Sequence, residues 1–497
     1  MSGNRRMRSR TLGALILMAA SLSAWAQIPG PLGYSVATPR PISPAEGTTT
    51  PSAQAAQRQN PYLGSVTSKN TGTRIELSLK PALERGLRYN LGLIESNQAS
   101  ADVRAERLRA LSALLPQLTA QGRQGYESLS YKEIGLKLPP IPGLPGLPPT
   151  SGRFGYQDAR VSLTQSLYNA ELRNRYQARK SDEQASMLSI QGSRDVVVFA
   201  VGTAYVQVVA SAARVETAKA QLASARELDQ QTPSRVKSEV SPEIDALRAQ
   251  VERQSAEQRL TNAGNQLEKD KLTLARIIGL AIDQDFGVSD PLAYHLLTGI
   301  TMETAGDEAL RSRTDLRSAE AAVQAAALTL RAQKARRLPV VSVSADYGGA
   351  GPNVGNFNQV YTVAANVSVP IYTGGRIHAE VEQAQADLTR RQAEYEDLKG
   401  RVAYDVRIAW LDLSASDSSV KVAEQNTSLA ERALTQSQDR YANGVANYLE
   451  VVQAQEAVIV AGENYIQSLF SFNVAMISFA RAVGSAETRL PKLLGGK

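Results

Sequence analysis

The chain has 497 residues, no cysteine, few aromatic side chains and a formal net charge of +7. The lack of cysteine excludes a disulfide framework, thiolate metal sites and a lipid attached to an N-terminal cysteine. Four arginines lie in an N-terminal segment that is predicted to be removed, and taking them from +7 leaves +3 for the mature chain. Such a small charge, without basic clusters among stacking aromatics, gives no indication of nucleic-acid binding.

The N-terminus has the pattern of a secretory signal peptide over residues 1–26. Basic residues precede an apolar run from Leu12 to Leu22, and Ala24-Trp25-Ala26 supplies a small-residue cleavage site. The run is shorter than the ~20 residues of a transmembrane helix, so export is favoured over a membrane anchor. We expect no later segment to reach that length either, and any membrane crossing should therefore use strands.

Residues 27–73 are predicted to be an extended or disordered lead, because they are rich in Pro, Ser, Thr, Gln and Gly. A first structural unit is predicted over residues 74–282. It contains a helical region from Leu77 to Leu114, a β-hairpin at 117–168 with a proline-rich loop at 137–151, and a long helical hairpin at 171–279. In that helical hairpin, Ser241 is a plausible N-cap and Pro242 the first helical residue.

An irregular connector is predicted at residues 283–302, followed by a second unit at 303–486. Its predicted parts are a helix from Glu303 to Arg337, a β-hairpin at 340–372, a helical hairpin at 376–484, and then a C-terminal tail at 487–497.

The two units repeat each other in sequence. Arg235, Ala249 and Gly279 recur as Arg440, Ala454 and Gly484, each displaced by 205 residues, which indicates a duplicated unit. The last long helix has apolar residues at alternating steps of four and three, which predicts a buried coiled-coil seam rather than a cofactor site. The seam comprises Tyr465, Leu469, Phe472, Met476, Phe479 and Val483.

The stretch from Val360 to Tyr372 alternates between apolar and polar residues, which is typical of a strand with one apolar face. This pattern predicts that Val363, Val367 and Val369 face lipid and that Thr362, Asn366 and Ser368 face a lumen. Each chain then supplies four membrane strands, whereas the smallest closed membrane barrels have ~8. The chain must therefore oligomerise, and the residues themselves permit a dimer or a trimer.

The residues after this strand resemble the strand-to-helix junction of TolC-like outer-membrane efflux proteins. The most specific residues are Pro370, Tyr372, Gly374 and Gly375, together with the segment from Arg440 to Gln455, which resembles the periplasmic turn of the family's helical hairpins. The resemblance implies a fold that is mainly α with a β-barrel part, in which a homotrimer forms a 12-stranded barrel in outer-membrane lipid and a periplasmic helical tunnel.

The resemblance further implies an exit duct that docks on a periplasmic adaptor protein and an inner-membrane transporter. The adaptor would contact the helical tips, at Glu239, Val240, Asn443, Gly444 and Val445. A gate would lie just inside the tips, with Asp245 and Glu450 at equivalent places in the two repeats. A solvated helix face is the competing interpretation of these two acids.

Three further positions bear on the gate that the resemblance implies. Tyr441 matches a tyrosine that holds the helices closed in the family. Gln453 stands where a second acid is expected, and Ala446 where the family often has a gate-locking arginine, so other residues such as Arg440 are candidates for the lock.

We expect no catalytic, cofactor or metal site. His295 and His378 are isolated, and Gly374-Gly375 lacks the glycine and lysine spacing of a phosphate loop. Two other functions remain open at this point: a periplasmic coiled-coil scaffold or adaptor, which leaves the strands unexplained, and a diffusion porin, which leaves the long helices unexplained.

Overall fold

The computed structural model describes residues 60–70, 72–131, 149–238, 242–292, 294, 300–353, 355–484 and 486–493. The predicted signal peptide, the lead up to residue 59 and most of the proline-rich loop lie outside these ranges. From residue 60 the lead is docked rather than free: the backbone N–H of Val66 donates to the carbonyl of Tyr89, and that of Ser68 to the carbonyl of Gly279, both at 2.9 Å.

The first half of the chain contains two helices, two strands and a pair of long helices, preceded by a very short strand. These elements are β1 (Ile75–Leu77), α1 (Leu79–Tyr89), α2 (Leu91–Ser112), β2 (Gln117–Glu127), β3 (Phe154–Tyr168), α3 (Ala170–Lys237) and α4 (Glu243–Ile278). At 1.5 Å per residue, the longest of these helices spans roughly 100 Å.

The second half has the same order of elements and ends in an additional helix. Its elements are β4 (Phe286–Val288), α5 (Met302–Ser312), α6 (Thr314–Ala335), β5 (Val340–Gly351), β6 (Asn358–Ser368), α7 (Arg376–Ala442), α8 (Tyr448–Ala482) and α9 (Ala486–Leu493).

The structure divides both helical regions that were predicted to be continuous ahead of the strands. Asn90 has extended backbone angles between α1 and α2, and its side chain accepts a hydrogen bond from the Gly92 N–H at 3.0 Å. This is the N-cap geometry that favours asparagine and starts a new helix. Arg313 is likewise extended between α5 and α6.

Three other elements differ in detail from the sequence-based expectation. Pro242 has extended backbone angles and precedes α4 as its cap, instead of being its first residue. The connector contains β4, which pairs in parallel with β1. The predicted C-terminal tail is helical over residues 487–493, as part of α9.

The alternating strand also ends earlier than predicted. β6 stops at Ser368, so Val369, Pro370 and Tyr372 lie beyond it. Proline has no backbone N–H to give to a strand ladder, and it disfavours continued pairing at this point.

The four long strands form one antiparallel sheet in the order β2-β3-β5-β6. Residues directly opposite each other share a face of such a sheet. One row across all four strands is apolar, consisting of Leu118, Leu163, Ala345 and Val363. The next row is polar, consisting of Thr119, Ser162, Asp346 and Thr362. The sheet therefore has one apolar and one polar face, and β2 and β6 are its two edges.

The helices pack side by side in two successive layers. Near the sheet, α2 packs on α3, α3 on α6, and α6 on α7. Farther from the sheet, α4 packs on α3, α3 on α8, and α8 on α7. The predicted coiled-coil seam of α8 is confirmed, since Phe472, Met476 and Phe479 are buried together with Val402 and Val406 of α7.

One described helix, α3, is long and apolar enough to cross a membrane by length and composition alone. Its most apolar window of 18 residues has a mean hydropathy of 1.9, which contradicts the expectation that no segment after the N-terminus would qualify. More than half of that window, 56%, is buried inside the protein. Val197, Val201 and Val208 of α3 belong to the largest apolar cluster, so core packing accounts for the composition.

The C-terminal helix α9 is held against α3. Leu490 is fully buried, and the Arg194 guanidinium donates to the carboxylate of Glu487 at 2.9 Å. The adjacent Asp195 is partly buried, and this burial, with the charge of Glu487 nearby, raises the pKa of Asp195 to about 6. When α9 packs on α3, the Asp195 carboxyl group therefore lies in surroundings that disfavour its ionised form.

We expect Asp195→Asn to raise the melting temperature of the protein at pH 7.5 and to leave it unchanged below pH 4. A folded-state pKa above the ordinary value means that the folded protein retains a proton between about pH 4 and pH 6 that the unfolded chain releases, so stability falls as pH rises through that window. Thermal unfolding from pH 4 to 8 measures the difference. Asp412→Asn, at an exposed position, is the control, and a stabilisation that does not depend on pH would contradict the assignment.

Candidate functional site

The turn between α7 and α8 is built by its glycine and asparagine residues. Gly444 has a φ of 73°, in the left-handed region that glycine adopts without cost. The backbone N–H of Val445 then donates to the carbonyl of Arg440 at 2.9 Å. Asn447 caps α8 by accepting a hydrogen bond from the Glu450 N–H at 3.0 Å. The sequence from Asn443 to Asn447 is therefore a complete helix stop and restart.

Two of the predicted tip residues, Glu239 and Val240, lie outside the described residues. On the second tip, Asn443 is the C-cap of α7 and Val445 is exposed. The sequence did not predict the salt bridges between α3 and α4 just inside the first tip. There, Arg253 contacts Asp229 across the hairpin at 2.8 Å and Glu257 on its own helix at 2.9 Å.

The two predicted gate acids lie in equivalent first turns but in different surroundings. Glu450 is the third residue of α8, and its carboxylate lies 3.1 Å from the Arg440 guanidinium; the Glu450 and Arg440 side chains are 40% and 49% exposed. Asp245 is the third residue of α4, is only 6% exposed, and its carboxylate lies 3.5 Å from the Arg248 guanidinium. The duplicated sequence predicts matching acids, whereas the tertiary structure buries one and leaves the other accessible. Both have an arginine partner.

Tyr441 contributes to a small apolar core beside these acids. Its ring meets the ring of Tyr448 edge to face, with centroids 5.8 Å apart, and Ala249 and Val451 complete the cluster. The sequence pointed to Tyr441 but not to Tyr448. The available signal was their spacing of seven residues, which allows two aromatics to contact each other across a tight helical turn.

Tyr448 is 1% exposed, and its hydroxyl has no hydrogen-bond partner within the described ranges. Burial, followed by the charges of nearby groups that include Glu252 and Asp245, raises the pKa of Tyr448 to about 12. A neutral phenol therefore faces the carboxylates of the first hairpin. Gln453 is exposed one turn after Glu450, so it lies on the same face of α8.

The strand-to-helix junction has the irregular geometry expected of its residues. Gly374 and Gly375 have φ values of 59° and 82°, and Gly375 is the cap from which α7 starts. Tyr372 is exposed. Below the sheet, Arg336, the C-cap of α6, pairs with Glu171 of α3 at 3.6 Å and with Glu380 of α7, so three neighbouring helices are linked.

No group of three potential metal ligands occurs in the parts of the chain that the structure describes. His378 lies 3.4 Å from Glu382 in an exposed pair, and His295 lies outside the described residues. The described residues thus form long helical hairpins with charged residues near their turns, together with a four-stranded sheet that has one apolar and one polar face.

Known proteins share this arrangement. The outer membrane efflux protein family model matches residues 83–280 and 305–485. The chain is 23% identical over 340 residues to the outer membrane efflux protein BepC of Brucella suis, covering 67% of this chain and 72% of that protein. It is 25% identical over 260 residues to the solvent efflux pump outer membrane protein SrpC of Pseudomonas putida, covering 52% and 53%.

The fold of the chain is similar to that of the Campylobacter jejuni CmeC outer membrane channel, with a TM-score of 0.69 at 16% identity, over 90% of this chain and 94% of that one. The family match and the fold together place the chain in the class of outer-membrane channels. The chain belongs to the outer membrane efflux protein family.

Proposed function

We propose that this protein is the outer-membrane exit duct of a tripartite efflux or type I secretion assembly, and that it works as a homotrimer. A periplasmic adaptor protein and an inner-membrane transporter would deliver cargo to it. The proposal rests on one observation: among the described residues, the sheet and both helical layers each begin and end with an element that has a neighbour on one side only. The sheet ends at β2 and β6, the helical layer near the sheet at α2 and α7, and the layer farther from the sheet at α4 and α7.

Open ends of this kind call for a neighbouring copy. A sheet edge in lipid would leave backbone groups unpaired, which membranes do not tolerate. In each of the three layers, the element at one end differs from the element at the other end. A neighbouring copy must therefore join head to tail, with its β2 beside β6, its α2 beside α7 and its α4 beside α7. Head-to-tail interfaces form a ring when the rotation between successive copies closes, and a closed ring leaves no free sheet edge.

The helical ends support this arrangement because they carry exposed apolar side chains. On α4 these are Ile244, Leu247 and Val251, and on α7 Tyr404 and Leu411 are seven residues apart. Exposed apolar residues at heptad spacing are typical of a coiled-coil face without its partner. In the trimer we place the apolar face of the sheet towards lipid and the polar face towards the lumen.

Disulfide cross-linking tests the ring directly, because the native chain has no cysteine. We expect Leu118→Cys on β2, combined in turn with cysteine at Tyr361, Val363 or Val367 on β6, to give covalent species of up to three chains on non-reducing denaturing gels. Several β6 positions are needed because strands in a barrel are staggered.

Single-cysteine variants are the controls and should remain monomeric on the same gels. Products that stop at two chains, or that continue beyond three, would contradict a closed trimer.

Within this trimer we propose that the residues just inside the tips form a gate. Glu450 supplies accessible negative charge. Arg440 pairs with the Glu450 carboxylate across the turn, and it takes the role of the gate-locking arginine whose place is occupied by Ala446 in this chain. Asp245 acts from within the wall, next to Tyr448. A ring of accessible carboxylates in a narrow pore favours cations and binds multivalent ones.

In planar bilayers, Glu450→Gln should lower cation selectivity and weaken block by divalent or trivalent ions. Asp245→Asn should change both less, because its side chain is 9% exposed against 40% for Glu450. Glu216→Gln, on an exposed part of α3, removes the same charge away from the tips and serves as the control. Unchanged selectivity and block in Glu450→Gln would rule out the ring.

The tips are the proposed adaptor-docking surface, with Gly444 and Val445 described and Glu239 and Val240 as their counterparts. We expect Val445→Arg to abolish export of cargo while assembly in the outer membrane continues, since Val445 is exposed and makes no core contact. Gly444→Arg should act similarly, with added strain of roughly 1–2 kcal/mol from its left-handed backbone.

Export assays and cross-linking to the adaptor measure this effect. Gly462→Arg adds the same side chain on α8, where a side chain meets open space, and should export normally. Normal adaptor cross-linking in Val445→Arg would show that docking occurs elsewhere.

The two rival functions make different predictions in the same assays. A periplasmic scaffold gives no conductance, and a diffusion porin is open at rest, whereas a gated duct conducts little until it is engaged. Membership of the efflux family supports the duct.

A further inference from the structure

The four junctions between helices and long strands each expose large apolar side chains. Leu115 lies between α2 and β2, Tyr168 at the end of β3, Leu338 before β5, and Ile371 and Tyr372 after β6. Ile371 and Tyr372 are 96% and 90% exposed. These exposed apolar side chains lie at the same level along the protein in all four junctions, whereas the exposed apolar residues of an ordinary protein surface are scattered.

The helical turns next to these junctions are strongly basic. Residues 104–115, 168–180, 328–340 and 369–380 contain twelve Arg and Lys side chains but only three Asp and Glu, whereas the whole chain has 55 and 48. We call these four segments the junction band. The excess of positive charge is thus local and does not reflect the overall composition.

Most of the band's charge has no carboxylate partner among the residues that the structure describes. Its three carboxylates, Glu106, Glu171 and Glu380, are all used in ion pairs with arginines. Eight exposed cations have no carboxylate within salt-bridge distance among the described residues: Arg104, Arg109, Arg173, Arg175, Lys180, Arg331, Lys334 and Arg337. Structural ion pairing therefore does not account for them.

The order of side chains along the protein identifies the environment that fits the band. The apolar face of the sheet comes first, then tyrosine and leucine at the junctions, and then unpaired arginine and lysine. A membrane presents the same order from its interior outward, with hydrocarbon, an interface that favours aromatic rings, and headgroups that attract cations when they are anionic.

We propose that the junction band binds the anionic headgroups of phospholipids in the leaflet on the helical side of the membrane. The inference rests on the proposed function, since it requires the sheet to cross a membrane. The phosphate groups would be met by arginine and lysine, of which arginine can bind bidentately. Anionic lipid thereby fixes the depth at which the sheet sits and stabilises the assembled protein.

The test measures thermal stability of the purified full-length oligomer in zwitterionic detergent with added phosphatidylglycerol, phosphatidylcholine or inorganic phosphate. We expect phosphatidylglycerol alone to raise the melting temperature. The triple variant Arg331→Gln, Lys334→Gln and Arg337→Gln should lose most of this shift, and each lost charge should weaken apparent lipid binding by roughly fivefold. High salt should reduce the shift of the native protein.

The control removes three exposed cations far from the sheet, Lys237, Lys269 and Arg432, each to Gln, and should keep the full shift. A second variant, with Arg104, Arg173 and Lys180 changed to Gln, repeats the test on α2 and α3 in case the first fails to assemble. Equal shifts in the triple variants and the control would overturn the proposal, as would equal effects of the two lipids. A shift with inorganic phosphate would also overturn it, in favour of a site for free phosphate.

Failure of the proposed function looks different in this experiment. In that case no oligomer is recovered from any detergent or lipid. An oligomer that forms and conducts, but melts independently of lipid charge, refutes only the junction band.

Discussion

The backbone edges of the four-stranded sheet constrain everything else in this protein. β2 and β6 each have one side without a strand partner in the described chain, and unpaired amide and carbonyl groups are costly wherever water is absent. In the proposed barrel, one copy cannot satisfy them alone, because four strands are too few to close. The helical layers follow the same order as the strands, so in the proposed trimer the way in which the sheets join also decides how the helices meet.

The change between helix and strand is the second determinant, because each long strand is joined to a helix at one end while the order of neighbours is kept. Proline supplies the stop at Pro116, Pro339 and Pro370 by removing a backbone donor. Gly374 and Gly375 supply the reversal into α7 through left-handed backbone angles. The junctions are therefore short and defined, and they hold exposed apolar and basic side chains at one level.

The tips show how a duplicated sequence gives unequal environments. Asp245 and Glu450 occupy the same helical turn of the two units, yet the pair of tyrosines beside α8 has no counterpart in the first unit. Asp245 is buried one helical turn before Ala249, which belongs to the apolar cluster with Tyr441, Tyr448 and Val451, whereas the Glu450 side chain is 40% exposed. The repeated sequence thus supplies the scaffold of the proposed gate, and the differences between the halves supply its chemistry.

The sequence by itself determined the order of the long helices and long strands, the alternating faces of the strands and the heptad seam of α8. These properties arise from local periodicity and from single residues that stop or start an element, such as Gly375 and Gly444. It also led to the family, through the residues of one junction and one turn.

Only the tertiary structure decided which contacts distant segments make. It divided the leading helices at Asn90 and Arg313, joined β1 to β4 across more than 200 residues, and docked the predicted tail as α9. It also buried Asp245 and paired Glu450 with Arg440. Burial and ion pairing depend on neighbours brought together by folding, and no local pattern contains them.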